Sequence, residues 1–600
     1  MELTKEYLLN LKRKLLSSGD LERFENYLPE ESAYQFLINC NAKRLGRVAI
    51  NYLGRKISYN SLIEKIDNCA KSFTKLGVKK GDVVAIAMLS TPEAIVSFYA
   101  LNKIGAIAFM VNATHDKPLI KEELEDSKAK ILVINDILYD EDIMNFTNDL
   151  NYKNVITSSL DESLPYGFIG DKIKFKIVNL MKRKNNMSKK DVKCIDWANF
   201  ENIGKNSSIS VETNNDKSSG AVIASTSGST GKAKRPLLTN ENLNSIPIQM
   251  GMTCPVFLPG DSIFTTLPPW ILYSLFNSIH EPLCLGVTVD LDPLFDSKKI
   301  HKRLKQYRFN HWNTIPGYIE DMVADEKMRK MDCSYLKSIT TGGDYRTPKL
   351  KMEAEEKLKA NNSFVEIGQG YGASECGGCF CYSYEKGMPA ETIGKPLFGN
   401  EFKIIDQETG DILGPNMPGI LYFYSPTLMK EYYGNQKLTN EVLSIDENGK
   451  RWYRTDDIAH YDEHGQLFMD GRIRRIELSK DSNGQPVKVF PDKIKQIISS
   501  HPLIEQCEIV MIPNEERITI PIAYIVMKEQ HQLTKEIISE INDICVANNV
   551  ESYMYPLDYI SISQIPKTKS LKVDIEKLKE MYLYDTQNND VNTLKKSRSF

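Results

Sequence analysis

Charge of one sign is missing from this chain: 76 lysines and arginines stand against 79 aspartates and glutamates, for a formal net charge of -3. No bulk field therefore draws it to nucleic acid or to an anionic membrane, and any phosphate it holds is held by a local site. Long hydrophobic runs are missing too. The most apolar stretch, 83–111, is interrupted by Ser90, Pro92, Glu93, Asn102 and Lys103, which excludes a membrane span. A secretory signal is absent from the start: Leu8, Leu11, Leu15 and Leu16 fall at helical spacing, but Lys12, Arg13 and Lys14 break any apolar core, so a packed helix is expected. The 11 cysteines are odd in number and mostly unpaired in spacing, which favours reduced thiols and a cytoplasmic location. One cluster, Cys376, Cys379 and Cys381, has no fourth ligand nearby and reads better as small residues lining a pocket than as a zinc site.

What is present is ordinary globular material in quantity. At 600 residues, 41% apolar and 26% charged, the chain exceeds one core. At about 100 to 200 residues per domain it divides into three or four units. Residues 57–133 alternate a helix over 59–76, a strand over 83–88 and a helix over 92–104. A second rhythm spans 262–367, with strands expected at 263–267, 287–291, 337–341 and 363–367. Such alternation implies mainly parallel sheets covered by helices. Residues 182–220 read as an extended polar connection. After Glu401 come short strands with turn signals, then a boundary near 470–474. A helix at 491–500 and a strand at 522–527 suffice for a compact α+β domain ending near 581, and 582–600 read as a frayed polar tail.

The strongest local signal follows the apolar run 221–224. Thr226, Ser227, Gly228, Ser229, Thr230, Gly231, Lys232, Ala233 and Lys234 combine glycines that let backbone amides approach phosphate oxygens with hydroxyl donors and cationic charge. A Walker A loop would need glycine at 226 and Ser or Thr at 233, so the P-loop kinase reading fails. Gly368, Gly370 and Gly372 do not make GxGxxG, and dinucleotide binding has little support. Alone, the serine-rich loop could equally be a flexible linker.

In company with the rest of the chain it is similar to TSGSTGxPKG, the signature loop of the adenylate-forming superfamily. That superfamily comprises acyl-CoA synthetases, adenylation domains and luciferases, the AMP-dependent synthetases and ligases. Ala233 replaces its proline and Arg235 its last glycine. Gly370-Tyr371-Gly372-Ala373-Ser374-Glu375 resembles YGxTE, which implies Ser374 in the hydroxyl place, Glu375 as the Mg²⁺ carboxylate and Tyr371 stacked on adenine. Gly342, Gly343 and Asp344 resemble the turn along the adenine side. Trp452 to Asp457 resembles WYxTGD, with Asp456 for glycine and Asp457 placed for the ribose hydroxyls. Gly471-Arg472-Ile473-Arg474 resembles GRxD or GRxK, implying nucleotide contact for Arg472 and the hinge for Arg474. Residues 566–574 resemble PxTxSGKxD with Leu571 for glycine, so Lys572 takes the place of the catalytic lysine, a cation that stabilises charge as a carboxylate attacks the α-phosphate.

The resemblance implies an α/β fold: a large N-terminal domain, 1–470, of two α/β units plus a β-rich unit, then a small mobile α+β C-terminal domain, 471–581. Alternation of the small domain would serve the two half-reactions in turn. The cofactors implied are ATP and Mg²⁺, with CoA or phosphopantetheine as acceptor. Residues 265–279 carry no carboxylate to pair with an α-ammonium, which favours an acid lacking an α-amine. Trp270, Tyr273 and Phe276, with Gly370, would wall an apolar pocket for an aryl or fatty acyl chain. A longer hairpin at 479–491, turning at Asn483-Gly484, stands where relatives flank the pantetheine tunnel. No carrier domain is evident, so CoA or a free acyl carrier protein would act in trans. The alternative is a stand-alone enzyme loading an amino or aryl acid onto a carrier. An inactive binding scaffold is disfavoured by Glu375, Asp457, Arg472 and Lys572 together, and a luciferase-like oxygenase has no sequence support.

Overall fold

The computed structural model describes residues 3–18, 24, 26–164, 192–226, 233–475, 477–481, 483–528, 531–548, 550–567, 573–588 and 593–595. An eight-stranded sheet has the order Glu431–Tyr432, Pro236–Thr239, Gly220–Ala224, Ile107–Met110, Val83–Ala87, Ile131–Asn135, Asn154–Ser158, Lys193–Asp196. From Gly220–Ala224 onward its strands are parallel, and Pro236–Thr239 returns antiparallel. A nine-stranded sheet sets Ile367–Tyr371, Ser338–Thr341, His311–Thr314, Ser262–Thr265, Thr288–Leu291 and Val48–Tyr52 in parallel. Antiparallel strands finish both of its edges.

One apolar core joins the sheets. Val84 and Val222 of the first, Ile50 and Val289 of the second, and Phe98 and Leu101 of the helix Pro92–Ile104 belong to the same buried cluster. That helix is capped by the Thr91 side chain, starts at Pro92 and stops at left-handed Gly105, so its boundaries are legible in the sequence. All of it but Lys103 is buried, and its sequence is mostly apolar to match. The expected N-terminal helix forms as Lys5–Ser18, burying Leu8, Leu11 and Leu15 while Leu16 faces outward.

A five-stranded sheet of Glu401–Ile405, Gly419–Tyr424, Arg451–Tyr461, Leu443–Ile445 and Leu467–Arg472 makes the β-rich unit. Beyond it, Ile504–Asn514 and Ile518–Met527 pair as a long hairpin in a four-stranded sheet. The helices Pro491–Ser499 and Lys535–Ala547 close a separate core over it around Ile494, Ile509 and Ile541.

Three expectations need correction. The strand placed at 363–367 instead spans Ile367–Tyr371. Phe364 is 78% exposed, and the glycines that lower β-propensity at 368 and 370 are inside the sheet because Tyr382 lies where a Gly368 Cβ would come, 2.6 Å from its ring. Within 182–220, the described part is not wholly extended. Lys193–Asp196 adds an edge strand, and Trp197–Lys205 forms a helix that buries Trp197 and Phe200. From Tyr582, where a frayed tail is expected, the helix Ile575–Asn588 continues and Thr593–Lys595 pairs with Asp558–Ser561, because Leu578 and Tyr582 are buried against the sheet.

Candidate active site

The buried strand Gly220–Ala224 delivers the chain to the phosphate-loop candidate. At the loop's base the Thr226 amide donates to the Lys234 carbonyl at 3.0 Å and the Lys234 amide returns to the Thr226 carbonyl at 3.3 Å. Ser227, Gly228, Ser229, Thr230, Gly231 and Lys232 lie outside the described residues. Arg235, which stands for the motif's glycine, is 5% exposed. Its Nη1 donates to Ser225 Oγ at 2.9 Å and its Nη2 lies 3.1 Å from Asp126 Oδ2, so it ties the loop base to the helix Lys117–Ser127. The Lys234 ammonium stands 5.5 Å from the centroid of the Tyr432 ring, a cation–π contact.

Tyr432 also reaches the acidic candidate. Its hydroxyl donates to Glu375 Oε1 at 2.6 Å. Burial and the carboxylate beside it push the Tyr432 hydroxyl up, so it stays a donor. Glu375 is 6% exposed in the turn Ser374–Cys376. The approach to that turn requires glycine at 372, where a Cβ would stand 2.4 Å from the Gly378 carbonyl oxygen. Glu375 supplies one hard carboxylate ligand, which fits Mg²⁺ held mainly by substrate phosphates. Among the described residues no group of three or more His, Cys, Asp or Glu could hold a metal ion. Cys376, Cys379 and Cys381 are all buried, and burial pushes their thiols up.

Two glycines of the nine-stranded sheet lie together near the C-terminal ends of adjacent strands, Gly342 just past Ser338–Thr341 and Gly370 inside Ile367–Tyr371. The Gly342 amide donates to the Thr314 carbonyl at 3.1 Å, and a Cβ there would stand 3.4 Å from the Gly370 oxygen. Gly343 adopts φ +80°, and Asp344 is exposed with its carboxylate accepting from the Tyr345 amide at 2.8 Å. Gln369, in the same strand as Gly370, ties that strand to the turn at Asp344: its Nε2 donates to the Asp344 and Gly370 carbonyls, each at 3.3 Å. Its Oε1 accepts from Thr341 Oγ1 at 2.8 Å and from Arg346 Nε at 3.3 Å. Sequence reasoning missed Gln369, Arg346 and Tyr432, since none differs by type or spacing from an ordinary polar core residue.

Tyr371, Asp457 and Arg472 come together from two sheets. The Tyr371 hydroxyl donates to Asp457 Oδ2 at 2.7 Å, and Arg472 Nε lies 3.1 Å from Asp457 Oδ1. Asp457 and Arg472 are register partners on adjacent strands, which sets that pair. The Asp457 charge holds the Arg472 guanidinium above its ordinary value.

On the pocket side, Trp270 is 5% exposed, and the Tyr273 ring lies 3.7 Å from where a Gly342 Cβ would be. Phe276 packs against Gly377. The Tyr273 hydroxyl is buried and has no hydrogen-bond partner among the described residues, so this wall is not wholly apolar. Arg474 lies in the short turn Ile473–Arg475 and its side chain is outside the described residues, as is Lys572. The chain on either side of Lys572 is fixed by a bridge between Lys567 and Val573, and Lys567 Nζ lies 3.4 Å from Glu320 on the helix Pro316–Ala324. The 479–491 stretch forms a hairpin, Glu477–Lys480 against Pro486–Val489, turning at Gly484 with φ +77°.

Residues 38–433 match the family described as AMP-binding enzyme, and residues 493–572 match the AMP-binding enzyme C-terminal domain. The chain is 27% identical over 524 residues to 4-coumarate–CoA ligase-like 2 of Arabidopsis thaliana, covering 87% of this chain and 85% of that protein. It is 24% identical over 541 residues to the luciferin 4-monooxygenase of Photuris pensylvanica, covering 88% and 90%. The crystal structure of an anthranilate CoA ligase in complex with anthranoyl-AMP superposes with a TM-score of 0.74 at 17% identity, covering 93% of this chain and 98% of that one, a likeness of fold.

Proposed function

The chain belongs to the AMP-binding enzyme family, and from that premise we propose that it activates a carboxylic acid with ATP and passes the acyl group to a thiol. In the first half-reaction a carboxylate oxygen bonds to the α-phosphorus, the bond to the β-phosphate breaks and pyrophosphate leaves. In the second, a thiol of CoA or of a carrier pantetheine attacks the acyl carbonyl, loses its proton and releases AMP.

The observation that carries this reading is convergence: Lys234 at the loop base stands over the Tyr432 ring, and Tyr432 bonds Glu375. Gly342 lies against Gly370 of the strand Ile367–Tyr371, and Tyr371 at that strand's end bonds Asp457 beside Arg472, so that three sheets contribute. A crevice at strand C-termini is where open α/β sheets bind nucleotides. Asp457 offers acceptors to a ribose diol, and Arg472 offers a cation beside it. Tyr432 holds the Glu375 carboxylate in one orientation. A magnesium ion, bound at Glu375 with ATP phosphates, would neutralise their charge. Lys234 and Lys572 supply further cations on the phosphate side, and Gly342, Gly343, Asp344 and Gly372 leave the backbone free to approach the nucleotide. Trp270, Tyr273 and Gly370 line the acid. We place the boundary between a 1–470 unit and a 471–581 unit at the Gly471–Arg474 hinge, and Lys572 on the smaller one. The thiol acceptor is CoA, with an acyl carrier protein in trans as the second reading.

Acid-dependent exchange of labelled pyrophosphate into ATP tests this directly. Lys572→Ala is expected to lower that exchange about 10²-fold or more with ATP binding retained. Wild-type exchange in that variant contradicts the role given to Lys572.

A further inference from the structure

A cation is buried just past the turn at Gly342, Gly343 and Asp344. Arg346 precedes the helix Pro348–Lys359 and is 3% exposed. Its Nε donates to Gln369 Oε1 and its Nη2 to the Ala390 carbonyl, each at 3.3 Å, while Nη1 is buried with no hydrogen-bond partner among the described residues. No carboxylate oxygen among the described residues lies within ion-pair distance of it, and Glu355 and Glu391 act on it only from further off. Burial pulls the guanidinium below its ordinary value. A buried charge without a close carboxylate costs stability, and an apolar side chain of like volume would pack there at lower cost. Folding alone therefore gives no reason for arginine at 346, whereas its donors do.

Those donors act on Gln369, itself 7% exposed. Turned the other way, the Gln369 amide would present its oxygen to the carbonyls of Asp344 and Gly370 and repel both. What fixes its orientation is the donor set at Oε1. Thr341 Oγ1 stands 2.8 Å from that oxygen, but the same hydroxyl stands 3.1 Å from the Gly368 carbonyl and has one proton to give. The Arg346 guanidinium keeps its protons at any ordinary pH, so it decides which way Gln369 points. Gln369 Nε2 in turn joins the Asp344 carbonyl, in the turn, to the Gly370 carbonyl, in the strand that ends at Tyr371. Asp344 and Tyr371 stand on the two walls proposed for adenine, and the amide links those walls.

We propose, resting on the ATP-dependent reading above, that Arg346 is a positioning residue that acts through Gln369 to set the preference for adenine over guanine. With Nε2 donating to both carbonyls, the turn is held against the strand. Each carbonyl oxygen keeps a second lone pair, which suits the exocyclic amine of adenine and repels the 6-oxo group of guanine. A site built to bond an N–H rejects the analogue lacking it, and a loosened turn gives up that rejection.

Calorimetric titration of ATP and of GTP into the full chain tests this, beside acid-dependent pyrophosphate exchange with either nucleotide. Wild type is expected to prefer ATP at least about tenfold. Arg346→Met is expected to melt close to wild type, to bind ATP about tenfold more weakly and to bind GTP nearly as before, with the loss in exchange falling on KM for ATP rather than on kcat. Gln369→Leu is expected to do the same, and the double variant to lose no more than either alone, since the two side chains act as one unit. Gln369→Glu gains an ion pair with Arg346 but has no donor for the two carbonyls, so it should fold and still lose the preference. Equal binding of ATP and GTP by wild type, binding of neither, an unchanged preference in a folded Arg346→Met, or losses that multiply in the double variant overturn the proposal. Should Arg346→Met not fold, Gln369→Glu decides: a lost preference upholds the proposal and a retained one overturns it. Exchange that fails with every acid, while the calorimetric preference for ATP still depends on Arg346, upholds the proposal and counts against the acid-activation reading instead.

Discussion

At the scale of single residues, Glu375 and Tyr432 make the sharpest pair. Glu375→Gln removes the charge and is expected to lower acid-dependent pyrophosphate exchange about 10²-fold, by analogy with the loss of one transition-state donor. Tyr432→Phe leaves the charge but frees its orientation, so a smaller loss, about tenfold, is expected with little change in stability; steady-state exchange and thermal melting of both variants check this. Asp290 supplies a prediction away from the site. It is 2% exposed, with Asn51 donating to Oδ1 at 2.7 Å and Ser262 beside it. Burial pushes its carboxyl up to about 7 from an ordinary 3.8. Between those values the folded protein keeps a proton that the unfolded chain releases, so stability falls as pH rises from about 4 to about 7 and is level above. Asp290→Asn escapes that loss and should gain up to about 4 kcal/mol at pH 8 relative to its effect at pH 4, a gap read by urea unfolding at both pH values. The same offset at both would contradict the raised carboxyl. Glu375 and Asp457 were legible in the sequence because their motifs are contiguous. Tyr432 was not, because it meets Glu375 across 57 positions of chain.

At the scale of elements, the loop candidate is closed by its own backbone bridge and tied down by Arg235. Arg235→Gly restores the motif residue but removes the link to Ser225 and Asp126. KM for ATP is expected to rise severalfold with kcat changed less, because a looser loop costs binding before it costs chemistry. Saturation curves for ATP in the exchange assay decide it, and a fall in kcat alone would show that Arg235 does not act through binding. The helix Pro92–Ile104 was readable to the residue from its caps. The strand Ile367–Tyr371 was misplaced because glycines at 368 and 370 look like a turn until Tyr382 is seen packed on the first of them. The π-helical turn Ser274–His280 leaves no signature in residue type.

At the scale of the whole molecule, the N-terminal sheets and the C-terminal unit have separate cores, and polar contacts among the described residues join them, Lys488 with Glu408 among these. Lys567 faces Glu320, and Lys349 Nζ donates to the Ile504 carbonyl at 2.8 Å. Arg475, the last residue of the turn, is bound to the smaller unit: Nη1 lies 2.5 Å from Asp492 and Nη2 2.6 Å from Glu508, which Lys495 also pairs at 2.6 Å. Those ties fix Arg475 to the smaller unit, in keeping with the hinge proposed at Gly471–Arg474. Proline fixes φ near about -65°, so Arg474→Pro should hold one orientation and depress one half-reaction far more than the other. Equal loss of exchange and of thioester formation in a folded variant would contradict a hinge there. The change to short strands after Glu401 and a boundary near 470–474 could be read in the sequence, whereas the Lys349 and Lys567 contacts across the seam join residues 155 and 247 positions apart. The most direct test of the central claim is acid-dependent exchange of labelled pyrophosphate into ATP by the wild-type chain. Label should enter ATP only when a carboxylic acid lacking an α-amine is present, and Glu375→Gln should abolish most of it; a folded wild-type protein that shows no exchange across a broad panel of acids, or exchanges only with α-amino acids, would contradict the account.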